Sequence, residues 1–460
     1  MSAAGALALV QPRHRDAKLE RCGRGPRVTP RLGAATLPGV PPPVLWLYRL
    51  VSCLAFPLAA PWLVVADRRR GKQRPPLAQR LGRGLPPVPR GGVWVQAVSV
   101  GEVAVARPIL AELRRRRPAT ALVLSATTAT GLAMASGQQI TDAVVPYPVD
   151  MPGAVRRALD AVGPALVVLV ETELWPEMLA ACAARRIPVA LVNARVSDRS
   201  WRGYRTVRRL LRPLLAPLSV VAAQDAVDKE RLEALGVPPE RVHVTGNVKF
   251  DASPPPEQPD LIAAIRRVAA GRAVIVAGST MAGEETAVIE AVKLLPADRR
   301  PFLILAPRHP ERAGEVVELL ASAGLPPVRR SRLPETGARV DAVVLDTVGE
   351  LAGLYRVAEV AFVGGSLVPT GGHNPIEPAL VGVPILTGPH VHNFRAIYKG
   401  FIAVGAARTV FDAADLAGAL GQMLGDPSIA RAAGEAGRTL VARHAGATAR
   451  TVDLLEPLLA

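Results

Sequence analysis

Acids, bases and glycines cluster where apolar runs of this chain give way to helix-like stretches. Ser99-Val100-Gly101-Glu102 follows the run GGVWVQAV. Ser-x-x-Glu is the capping-box pattern that starts a helix. A carboxylate at a helix mouth is equally placed to take a proton from a hydroxyl, and Gly101 lets another backbone approach closely. ETELWPE (171–177) follows ALVVLV and carries Glu171 and Glu173. Two neighbouring carboxylates cost more than a neutral turn, although a solvated turn with Trp175 packed inward also accounts for them. NARVSDRSWRGYR (193–205) holds four arginines, Arg195 first. Guanidinium groups grip phosphates through paired hydrogen bonds, and a solvated basic helix explains Arg202 and Arg205. GNVKFD follows and supplies Lys249.

The second half repeats the theme with more glycine. GSTMAGEE (278–285), which contains Ser279, reads as a glycine-bearing anion loop. Arg308 and His309 in APRHPER suit a phosphate or a pyrimidine. Thr347-Val348-Gly349-Glu350 is a second Ser/Thr-x-x-Glu box. VGGSLVPTGGHNPIEPAL (363–380) is the densest stretch. Asn374 suits an N-cap, Pro375 the first helical position, and Ile376 and Glu377 the first turn. A cap does not call for Gly364, Gly365, Gly371, Gly372 and His373 beside it. Amides at a helix start, reached through glycines, form an anion site, and Glu377 can then accept from sugar hydroxyls. Asp-x-Asp, CxxC, the Walker pattern and GxGxxG are all absent, so no metal site and no standard phosphate loop are expected.

The elements that must position these residues alternate. VWVQAV, ALVLSAT, ALVVLVE, PVALVNA and RVHVTGN are separated by helix-like stretches, and the alternation restarts with AVIVAGST and PFLILAPR. Such alternation predicts parallel sheets with helices on both faces. The proline-rich DASPPPEQPD (251–260) separates two halves of similar length, 91–250 and 261–460. Ligands of open α/β sheets sit beyond the carboxyl ends of the strands, so two facing halves make a cleft.

Of the net charge of +17, residues 1–90 carry +13, with 16 Lys/Arg against 3 Asp/Glu. The excess lies outside the folded halves and aromatics are scarce, which disfavours nucleic acid and points to an anionic membrane surface. Residues 1–43 read as a disordered basic, proline-rich extension. Residues 44–66 are mostly apolar, with Arg49 their one charge, and DRRRGKQR follows. As a helix this stretch would measure about 34 Å, against the roughly 30 Å of a bilayer core. Membrane attachment follows, whether the helix crosses or lies in the interface, and the basic flank keeps the body cytoplasmic. Three dispersed cysteines fit a reducing compartment.

AVSVGEV, ETELWPE, NARVSDRSWRGYR, VTGNVKFD, GSTMAGEE, APRHPER, TVGELAGLY and GGHNPIEPAL, in that order, resemble the Kdo (3-deoxy-D-manno-octulosonic acid) transferases of lipopolysaccharide biosynthesis. The resemblance runs from about Leu45 to the C-terminus. It implies a GT-B fold, two Rossmann-like domains facing across a cleft, with an N-terminal membrane-associated helix on the cytoplasmic side of the inner membrane. It implies inverting, metal-independent transfer of Kdo from CMP-Kdo to a lipid A precursor, with no cofactor. It makes Glu102 the general base and gives Glu171 and Lys249 transition-state roles. CMP contacts fall to Arg308, His309, Val348, Gly349, Glu350, Asn374, Pro375, Ile376 and Glu377. Gln96, Met281 and Glu177 depart from the family's usual His, His and Asn. A nucleotide-sugar 2-epimerase of the same fold and a non-catalytic membrane-anchored nucleotide-binding protein are the alternatives.

Overall fold

The computed structural model describes residues 43–69, 75–137, 139–172, 174–255, 257–333 and 340–459. The extension 1–43, apart from Pro43, and Glu173 lie outside these residues. Two seven-stranded sheets organise the chain. The first contains β1 (Val93–Gln96), β2 (Leu122–Ala126), β3 (Ala143–Pro146), β4 (Leu166–Val170), β5 (Val189–Ala194), β6 (Val220–Ala223) and β7 (Val242–Val244). The second contains β8 (Val274–Thr280), β9 (Phe302–Pro307), β10 (Pro327–Arg329), β11 (Ala342–Val344), β12 (Val360–Val363), β13 (Ile385–Thr387) and β14 (Ala407–Thr409). Their orders are β3-β2-β1-β4-β5-β6-β7 and β10-β11-β9-β8-β12-β13-β14, and every pairing is parallel.

Parallel strands covered on both faces bury every side chain. Val93 and Val95 of β1 enter one core with Leu124 and Val168. Trp94 enters the other with Val123 and Leu169. In β8, Ile275 and Ala277 face one core, and Val274 and Val276 the other. Strand order reverses between β1 and β4 and again between β8 and β12. At such reversals adjoining loops part and leave a crevice.

The chain does not stay in the second lobe to its end. The helix Ala447–Leu455 places Ala447, Val452 and Leu455 in a core of the first sheet. Asp251 Oδ1 accepts from Gly446 N at 2.6 Å, and Oδ2 accepts from Thr448 N. Phe250 stacks on His444 with ring centroids 4.8 Å apart. The two segments that join the lobes are therefore pinned to each other.

The apolar N-terminal stretch forms the helix Pro43–Arg69. Leu45 is buried, and Tyr48 and Arg49 bind the first lobe through Asp150 and Glu177. Trp46, Leu47, Leu50, Val51 and Leu54 are each more than half exposed. Spacings of one, four, five and eight residues put these five on a single stripe. Among the described residues no helix is long and apolar enough to cross a membrane. The length expected for crossing is thus not matched by an apolar circumference: one edge of this helix is engaged in ion pairing with the protein.

Candidate active site

The loop after β1 carries Glu102 on the first turn of the helix Val100–Arg116. Ser99 has the extended backbone of an N-cap, but its side chain makes no capping bond. It donates instead to Glu102 Oε1 at 3.3 Å, while Val98 N donates to Oε2 at 2.7 Å. The capping box is therefore half built and shifted one residue outward, and the carboxylate is oriented by two donors. A Cβ on Gly101 would meet nothing nearer than Ser99 Oγ at 3.8 Å. The fold itself does not demand glycine there, and the approach to the loop stays clear.

On β4, the strand adjacent to β1, Glu171 leaves the sheet with φ of 60°. A left-handed conformation is costly for a side chain of this size. Its Oε1 meets Lys249 Nζ at 3.0 Å, and its Oε2 meets Arg195 Nε at 3.3 Å. Lys249 lies in the 3-10 turn Val248–Asp251. Val248 N donates to Asn193 Oδ1 at 3.0 Å, and Lys249 N donates to Asn247 Oδ1 at 3.0 Å. Asn247 Nδ2 donates to Gln224 Oε1, and Gln224 Nε2 donates to Asn193 O, each at 3.0 Å. The ammonium also stands 5.6 Å from the ring centre of Phe394, a second-lobe residue. Sequence reasoning missed Asn193 and Gln224. Their signal was a polar residue closing each of two apolar strands.

In the second lobe, Ser279 also has positive φ, 55°, where the β8–β9 register slips between Gly278 and Thr280. A Cβ on Gly364 would come within 2.6 Å of Ser279 O and 2.9 Å of Glu284 Oε2. Glu284 is fully buried. Its Oε1 accepts from Ser366 N and Leu367 N, each at 2.8 Å, and its Oε2 accepts from Gly365 N at 2.6 Å and Met281 N at 2.8 Å. This corrects the expectation for the first glycine pair. The amides of 365–367 are already taken up by a carboxyl group, that of Glu284 from GSTMAGEE.

The second glycine pair is tied to the first. Gly372 N donates to Gly365 O at 2.6 Å, and His373 N donates to Gly364 O at 3.2 Å. Asn374 Oδ1 accepts from Ile376 N at 3.1 Å, and Asn374 Nδ2 donates to Glu377 Oε1 at 3.2 Å. The helix runs Ile376–Leu380 with Pro375 in the N-cap position, one residue later than expected. Burial raises the Glu377 carboxyl above its ordinary range. His373 Nε2 is buried and finds no partner among the described residues. Burial, then the neighbouring Arg308 and His309, push its imidazole down to about 4, so it is neutral at pH 7. Arg308 and His309 are exposed, and Arg308 N donates to Thr280 O at 2.9 Å.

Thr347 and Glu350 do not cap a helix together. Gly349 turns the chain with φ of 90°, and the helix Leu351–Leu354 begins only after Glu350. Glu350 accepts from the Thr347 hydroxyl and pairs with Arg330 at 2.9 Å. Val348 is 87% exposed. Thus Glu171, Lys249 and Arg195 form one cluster, and Arg308, His309 and His373 share an electrostatic neighbourhood. Among the described residues no group of three or more His, Cys, Asp or Glu could hold a metal ion.

The family model described as 3-deoxy-D-manno-octulosonic-acid transferase (kdotransferase) matches residues 74–252. A 3-deoxy-D-manno-octulosonic acid transferase of Bordetella pertussis is 40% identical, over 90% of this chain and 99% of its own length. The transferase of the same name from Haemophilus influenzae is 33% identical, over 90% of this chain and 99% of its own length. A UDP-GlcNAc 2-epimerase structure from Neisseria meningitidis superimposes with a TM-score of 0.53 at 14% identity, over 80% of this chain and 100% of that one. At that identity the likeness shows the fold alone. Relatives matched end to end at such identity place the chain in the 3-deoxy-D-manno-octulosonic acid (Kdo) transferase family, with the two parallel sheets of a GT-B glycosyltransferase.

Proposed function

We propose that this glycosyltransferase moves Kdo from CMP-Kdo to a lipid A precursor, with inversion and without a metal or other cofactor. The observation that carries the reading is the placement of the candidate residues. They sit at or just beyond the carboxyl ends of β1, β4, β5 and β7 in one sheet and β8, β9, β11 and β12 in the other. The first lobe, residues 91–250 with the returning helix Ala447–Leu455, takes the acceptor, and the second lobe, from residue 261 up to that helix, takes the nucleotide sugar across the hinge at 251–260.

Glu102 is the general base. Its carboxylate, oriented by Val98 N and Ser99 Oγ, takes the proton of the acceptor hydroxyl as the oxygen attacks the anomeric carbon. The bond from that carbon to the CMP phosphate breaks, and its electrons leave on the phosphate. Lys249 and Arg195, held on Glu171, stabilise the charge that develops. Arg308, His309 and the neutral His373 meet the departing phosphate, with Gly372 lending close backbone approach. Asn374 to Glu377 and Val348 to Glu350 hold the nucleoside. A monophosphate leaving group met by fixed donors needs no divalent ion. The exposed stripe of the helix Pro43–Arg69 and its basic flank rest on an anionic inner-membrane surface at the cytoplasmic side, where the lipid acceptor lies.

The test is mass spectrometry of a lipid A precursor incubated with the full chain and CMP-Kdo. The expected product is heavier by one or more Kdo units, with CMP released only when lipid is present. Lipid-independent CMP release, or an epimerised sugar in place of a glycolipid, refutes the reading.

A further inference from the structure

Two oddities of the sequence meet in space. Arg49 is the lone charge within the apolar stretch 44–66, and Glu177 is an acid buried in the first turn of its helix. In the structure Arg49 Nε donates to Glu177 Oε2 at 2.7 Å, and Nη2 donates to Oε1 at 3.0 Å. The preceding residue adds a second contact: the Tyr48 hydroxyl donates to Asp150 Oδ2 at 2.9 Å. Both acids are almost wholly buried. Asp150 in turn accepts from Glu177 N at 3.0 Å and Met178 N at 2.9 Å. It is thus the cap, supplied from the loop after β3, of the helix Pro176–Ala184. Trp175, immediately before that helix, packs on Tyr147 with ring centroids 5.1 Å apart. Glu171, with its two cations, lies at the other end of the same short connection from β4.

A two-pronged contact of this kind does more than anchor. A buried carboxylate without its cation is unstable, and a helix start without its cap loosens. We infer that Tyr48 and Arg49 are positioning residues: docked on Asp150 and Glu177, they fix the start of the helix Pro176–Ala184 and thereby the setting of Glu171 for sugar transfer. The apolar helix is then a working part of the acceptor lobe as well as its contact with lipid. Donor binding, carried by the other lobe, does not need it. The activity arm of the test rests on the transferase reading, and the exchange arm does not.

The experiment compares full-length wild type with Tyr48→Phe/Arg49→Met, Arg49→Lys and Arg49→Met/Glu177→Met. Hydrogen exchange at the amides of Glu177 and Met178 is expected to quicken about tenfold or more in Tyr48→Phe/Arg49→Met. The kcat for transfer to a lipid A precursor is expected to fall about tenfold, within the ~10²-fold that a misplaced group costs. CMP affinity and co-sedimentation with anionic phosphatidylglycerol vesicles are expected to stay at wild-type values. Arg49→Lys keeps the charge and is expected to fall between. If a bare Glu177 prevents folding, Arg49→Met/Glu177→Met restores an apolar contact and is expected to recover fold and kcat together. Unchanged exchange overturns the inference. So does a fall in kcat matched by an equal fall in vesicle binding, which makes the helix an anchor only. A wild type without transfer refutes the transferase reading, and the exchange arm then decides the positioning role alone.

Discussion

In the proposed mechanism, Glu102 joins a helix-start motif and a general base in one side chain. Its carboxylate accepts from Val98 N and Ser99 Oγ, and a glutamine amide can preserve one of these contacts while losing basicity. Glu102→Gln is therefore expected to lower kcat by about 10²-fold or more with CMP affinity and melting temperature near wild type, measured by isothermal titration and circular dichroism. His373 gives a pH signature. Its folded imidazole has been pushed down to about 4 from an ordinary 6.5. Between those values the unfolded chain takes up a proton that the folded chain refuses, so stability falls as pH falls through this window and is full above it. His373→Gln is expected to flatten the melting temperature between pH 6.5 and 4 and to leave it unchanged above pH 7. Glu284 shows what sequence reading overlooks at this scale. It lies four and eight residues before Val288 and Val292, on the buried stripe of its own helix. An acid on an apolar stripe is the trace of an internal hydrogen-bond acceptor, and the glycines drew attention away from it.

At the scale of elements, most of the framework was legible because parallel strands buried on both faces are short β-branched runs. VWVQ, LVVLV and FLILAP each became a strand. Helix starts were legible to within one residue at Asn374, but not at Thr347, where Gly349 turns the chain first. The N-terminal helix was legible in its existence and not in its attitude. Its length allowed a span and its Arg49 an interfacial helix, and the sequence did not show the two faces the structure gives it: an exposed stripe of Trp46, Leu47, Leu50, Val51 and Leu54, and opposite it Tyr48 and Arg49 docked on the first lobe. Leu50→Glu/Leu54→Glu is expected to lower co-sedimentation with anionic vesicles at least tenfold, since each buried leucine contributes about 1.5–3 kcal/mol. Activity on a detergent-dispersed acceptor is expected to fall much less.

For the whole molecule, nothing in the local pattern of Ala447–Leu455 announces which sheet it joins. The choice depends on partners more than 300 residues away, such as Arg116, which meets Asp453 at 2.5 Å and Glu456 at 3.1 Å. Long-range pairings of this kind leave no periodic trace. A chain ending at Ala445 loses Val452 and Leu455 from the first lobe's core, about 3–6 kcal/mol, and leaves Asp251 without Gly446 N and Thr448 N. Against a typical total of about 5–15 kcal/mol, that truncation is expected to melt the first lobe well before the second, resolved as two transitions in calorimetry where the full chain gives one. The same returning helix has a consequence for biosynthesis. The first lobe is begun early in synthesis but lacks one wall of its core until residues 447–455, made after the second lobe, are available to pack against it. Synthesis of that returning helix, rather than emergence of the first half, is the event that closes the first lobe.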